Sequence, residues 1–168
     1  MRLTLLILSI LFLSSYSTAQ ECTVTEPPAL LNLRLGMTLV EVNSVTRPDL
    51  KVKAETEGEE TFFKNWIKKP AKGKLAGVRA IYLSFFRGRL YQIEVFYQDE
   101  FRWEDLESLL TGFSADTGFA REFWKVKNGY AKARCEGFTL EADRVLGAHV
   151  QITDDAMMEA VEAFRKKN

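Results

Sequence analysis

The stretch Val78-Arg79-Ala80-Ile81-Tyr82-Leu83-Ser84-Phe85-Phe86-Arg87-Gly88-Arg89-Leu90-Tyr91-Gln92-Ile93-Glu94-Val95-Phe96-Tyr97-Gln98 decides the fold. Ile81, Leu83 and Phe85 alternate before Arg87-Gly88, and Tyr91, Ile93, Val95 and Tyr97 alternate after it. That is the period of two paired strands with one buried face. Parity then selects the turn. A two-residue Arg87-Gly88 loop opposes Leu83 to Gln92 and Ile81 to Glu94. A three-residue Phe86-Arg87-Gly88 loop opposes Leu83 to Tyr91 and Ile81 to Ile93, which keeps apolar with apolar and puts Gly88 at the left-handed position of a bulged turn. The longer loop is therefore expected.

Downstream, Trp103, Leu106, Leu109, Leu110 and Phe113 form one stripe of a helix predicted from about Phe101 to Phe113. Asn128-Gly129 marks a turn before strands at Tyr130 to Cys135, Phe138 to Asp143 and Leu146 to Thr153. A last helix beginning after Thr153 or Asp154 buries Met157, Val161 and Phe164. Upstream, Leu30 to Leu35 alternates like a half-buried strand or an extended lead-in. Thr38 and Glu41 have capping-box spacing for a helix over Leu39 to about Val45, which stops before Pro48. Leu50, Val52 and Ala54 suggest a short strand. The expected class is α+β: an antiparallel β-sheet with helices packed on one face. There is no Gly-rich phosphate loop, βαβ unit or solenoid repeat.

The N-terminus sets an expectation about compartment. Met1-Arg2 is a short positive region, Leu3 to Leu13 an apolar run too short to span a bilayer, and Ser17-Thr18-Ala19 a small-residue cleavage site. Residues 1–19 therefore read as a cleavable signal peptide and 20–168 as a single exported domain, periplasmic or secreted, with no transmembrane segment after cleavage. Lipidation of Cys22 is disfavoured because Glu21, not a small residue, precedes it. The composition, 46% hydrophobic and 27% charged, argues for a folded domain rather than disorder. The 23 basic residues less Arg2 leave 22 against 23 acidic, so no net field favours nucleic acid.

Cys22 and Cys135 are the only cysteines, and in an exported chain an even count reads as a disulfide. Two distant cysteines and one histidine make no metal cluster, and no cofactor motif is present. Catalytic candidates are few. His149 falls in a predicted strand, Ser114 lacks a nucleophile-elbow setting, and the adjacent acid pairs Glu59-Glu60 and Asp154-Asp155 are explained by solvation and capping. The segment Thr56 to Gly77 reads as a long charged loop or a short helix. In it Phe62, Phe63 and Trp66 sit among lysines, either exposed as a partner-binding patch or buried as a lid.

Arg34-Leu35-Gly36-Met37-Thr38 with Glu41-Val42, lying between an export signal and a β-hairpin, resembles the opening of small exported envelope domains of the SmpA/OmlA type. Those are lipoprotein subunits of the outer-membrane barrel-assembly machinery, with a fold similar to the β-lactamase-inhibitor-protein repeat. The lipid-attachment cysteine pattern is absent here, and the chain continues beyond such a minimal domain. An early cysteine, Gly88-Arg89-Leu90 and Cys135-Glu136-Gly137-Phe138 look more like a group of exported bacterial proteins of unknown function. The resemblance implies a non-catalytic module whose partner is another envelope protein, and it carries over no functional residue. The alternative is a small secreted hydrolase or carbohydrate-active enzyme that uses carboxylates.

Overall fold

The computed structural model describes residues 21–46, 54–57, 59–67, 75–98, 103–145 and 147–167. The expected signal peptide (residues 1–19), the Leu50 to Lys53 part of the expected short strand, and Gly58 with residues 68–74 of the expected loop lie outside them.

Helix α1 (Leu39–Thr46) is followed by strands β1 (Ala54–Glu57), β2 (Glu60–Trp66), β3 (Val78–Phe86) and β4 (Arg89–Tyr97). Helix α2 (Leu106–Thr117) then precedes β5 (Lys125–Lys127), β6 (Tyr130–Arg134), β7 (Phe138–Asp143), β8 (His149–Asp154) and α3 (Asp155–Arg165). The eight strands form one antiparallel sheet in the order β1-β2-β3-β4-β8-β7-β6-β5. The molecule is thus two halves, each a helix followed by a four-stranded meander. The last strand of one half pairs antiparallel with the last strand of the other, from Gln92↔Thr153 to Phe96↔His149.

The hairpin corrects the expected turn. Phe86 pairs with Arg89, so the loop is the two residues Arg87 and Gly88, both with positive φ (49° and 77°). This is the type I′ geometry whose twist suits a hairpin. The register then slips by one between Ser84↔Gln92 and Phe85↔Leu90, leaving Tyr91 as the extra residue of a β-bulge. The bulge restores apolar pairing, Leu83 with Ile93 and Ile81 with Val95, and turns Tyr91 onto the opposite face. The rule of matched faces holds, and a bulge satisfies it rather than a longer loop.

The segment expected as a loop or short helix over 56–77 contains strand β2. Two features disguised it. Both faces of β2 carry aromatics, and Glu60, which reads as a solvated acid, is only 4% exposed because Arg165 of α3 clasps it through two bonds of 2.9 and 2.6 Å. The Leu30 to Leu35 alternation is a tight turn with Leu31 and Asn32 at positive φ, so that Leu30 and Leu33 both reach the core. Helix α2 begins at its Asp105–Ser108 capping box and ends at left-handed Gly118, later than expected at each end. Trp103 precedes that helix and lies against Gly112, where an added Cβ would come within 1.8 Å of the ring.

One sheet face builds the main core. Ile81, Leu83, Ile93, Val95, Leu140, Val150 and Ile152 pack there with Val42 of α1 and Leu109, Leu110 and Phe113 of α2. The expectation of helices on one face alone is corrected by α3. Its Val161, with Met157, Met158 and Phe164, packs on Phe86 and Tyr91, which point to the other face by strand alternation. The residues of the family resemblance serve this architecture. Gly36 N–H donates to the Leu90 carbonyl, Leu90 N–H to that of Met37 and Arg89 Nη1 to that of Gly36. Thr38 and Glu41 cap α1 reciprocally, holding the Glu41 carboxyl below its usual range through the Thr38 backbone bond first. Cys22 is bonded to Cys135 across 113 residues of chain.

Candidate functional site

Helix α3 covers only one end of its sheet face, and the rest of that outer face carries two rows of side chains fixed by register. One runs Lys64, Tyr82, Glu94, Gln151, Glu141, Lys132; the other runs Trp66, Ala80, Phe96, His149, Asp143, Tyr130. A solvent-facing sheet surface is ordinarily polar, yet rings here form a continuous strip. Trp66 and Tyr82 meet edge to face at 6.2 Å, Tyr82 and Phe96 lie 4.9 Å apart, and Phe96 stacks on His149 at 4.4 Å. The Lys64 ammonium stands 4.5 Å from the Tyr82 ring centre and 5.4 Å from that of Trp66, within cation–π range of both.

The structure separates the three aromatic candidates. Phe63 lies in the core at 2% exposure and cannot contact a partner; Phe62 is half-buried on the outer face; Trp66 is 51% exposed at the end of the strip. Exposure and burial thus divide the three aromatics between the two faces of β2, since successive strand residues face opposite ways. Tyr82, Phe96 and Lys64 complete the surface. No local signal singled them out, because the strip is assembled across four strands.

His149 occupies the seam between the halves. Its Nδ1 lies 3.3 Å from Asp143 Oδ2 on β7, and its Nε2 lies 3.6 Å from Glu94 Oε2 on β4, beyond hydrogen-bond reach but within ion-pair range. Burial acts to lower the imidazole's proton affinity. The two carboxylates outweigh it and hold the pKa above that of an ordinary histidine. Beside it, burial would raise the Glu141 carboxyl, but its bond from Lys132 contributes to holding it low.

A histidine whose folded pKa exceeds its unfolded value of about 6.5 contributes stability that is fully present below that pH and is lost as pH rises through the folded pKa. His149 is the only histidine. Urea midpoints of the intact protein should therefore fall as pH rises above about 6.5, while those of His149→Gln should lose this dependence. Parallel profiles for the two proteins would refute the charged-seam assignment.

Among the described residues no cluster of His, Cys, Asp and Glu could hold a metal ion, and no helix is long and apolar enough to cross a membrane. Comparison with family models, curated proteins and solved structures gives no match, so the site is read from its own residues.

Proposed function

We propose that the protein is an exported, non-catalytic binding module that engages another envelope protein through the uncovered aromatic part of its outer sheet face. The observation that carries this reading is Trp66, half-exposed beside Tyr82 with a lysine held over both rings. Trp and Tyr are among the side chains that dominate binding energy at protein interfaces, and a rigid sheet presents them at little entropic cost. The bond between Cys22 and Cys135 fits an oxidising compartment. The resemblance to envelope-assembly domains points to the same class of partner.

The hydrolase alternative draws on one specific group, Glu94, His149 and Asp143. There both imidazole nitrogens already face carboxylates, 3.3 Å from Asp143 and 3.6 Å from Glu94, which leaves neither ring nitrogen turned towards an open substrate position.

A photo-crosslinking residue at position 66 should yield a discrete protein adduct in the exporting cell. The same residue at Val126 or Val145, which are exposed apolar positions elsewhere, should not. Equal labelling from all three positions would overturn the reading.

A further inference from the structure

Beside the aromatic strip, a groove of about 420 Å³ separates α3 from strands β2–β4, with Phe62, Lys64, Tyr82, Gln92, Met158 and Arg165 along it. Its volume lies within the range of ligand-binding clefts, about 300–1,000 Å³. Three charged side chains line it. Arg165 is committed to Glu60, and Glu94 faces His149. Lys64 is in no ion pair among the described residues; only the rings of Tyr82 and Trp66 hold its ammonium. The groove therefore offers one positive charge outside any ion pair, beside both apolar and uncharged polar side chains.

Its geometry also has a period. Phe62 and Lys64 lie two residues apart on one face of β2, hence about 6.6–6.8 Å apart along the strand, which is the spacing of side chains i and i+2 in any extended chain. Ser84 and Gln92 on the floor, bonded to each other at 3.4 Å, supply hydroxyl and amide groups suited to a peptide backbone. With its carboxylate at Lys64, a fatty acid would leave only its acyl chain beside those groups, which offers them no partner.

We propose that this groove binds an extended acidic peptide segment of the partner, with a carboxylate at Lys64 and the apolar side chain two positions away against Phe62 and Met158. The proposal rests on the binding-module reading and supplies the partner's chemistry.

The test is a titration of the full exported chain, followed by amide and Trp indole NMR shifts. The probes are three capped hexapeptides that carry leucine and, two positions on, glutamate, glutamine or lysine, together with dodecanoate. The glutamate peptide should bind about tenfold more tightly than the other two, a difference in the range of one charge-assisted hydrogen bond. Its shifts should map to β2–β4 and the C-terminal turn of α3. Lys64→Gln, an exposed substitution that removes only the cation–π contacts and should lower the melting temperature by no more than a few degrees, should abolish the preference. Equal affinity for all three peptides, indifference to Lys64→Gln, or binding of dodecanoate alone would overturn the proposal. If these arms fail while position 66 still crosslinks to a partner, the binding module stands and the acidic-segment chemistry falls. If both fail, the function itself is refuted.

Discussion

Replacing Cys22 and Cys135 together by serine should lower the melting temperature by about 5–15 °C, corresponding to a loss of about 2–5 kcal/mol. The bond closes a loop of 113 residues, for which the chain-entropy estimate alone is about 4–5 kcal/mol. Its position adds a second reason. The chain leaves Cys22, turns at Leu30 to Leu33 and pairs through Gly36 and Met37 with Leu90 at the β3–β4 hairpin. Cys135 lies between β6 and β7. The N-terminal segment is thus fastened to one half by backbone hydrogen bonds and to the other by the disulfide. Calorimetry on the double variant and on reduced wild type should agree, and a melting temperature within 2 °C or so of the oxidised protein would show the strap to be dispensable.

Phe63→Ala and Trp66→Ala should differ sharply although the two residues share one strand. Phe63 packs in the main cluster, so its truncation removes a buried ring and leaves a cavity, costing about 3–5 kcal/mol. Trp66 is half in water, and its truncation should change stability by about half a kcal/mol while weakening partner capture. Chemical denaturation of the two variants separates them. Comparable destabilisation would mean that Trp66 belongs to the core and is not a contact surface.

The sequence made legible whatever depends on near neighbours. Alternation around Arg87-Gly88 located β3 and β4, the Thr38–Glu41 spacing located the cap of α1, and the chain after Thr153 located α3. What it hid depends on distant partners. Glu60 is buried only because Arg165 reaches it from the far end of the chain, so β2 looked like a charged loop. The bulge turns Tyr91 onto the second face, where α3 supplies an apolar surface that no local pattern foretells. The candidate site behaves likewise. Trp66 stood out as an aromatic among lysines, but Tyr82 and Phe96 joined it only through strand register, and the carboxylates around His149 come from β4 and β7.

The seam between β4 and β8 also bears on the order in which the chain is made. Strand β4 is complete at Tyr97, yet the strand that caps its open edge begins only at His149. Until that intervening stretch has been synthesised, a folded first half would present a row of unsatisfied amide and carbonyl groups next to Ile93 and Val95, the kind of edge that recruits other chains. A nascent chain at that stage is a sticky half-sheet. Among the described residues, β8 is the strand that closes that edge, so the two halves are completed together.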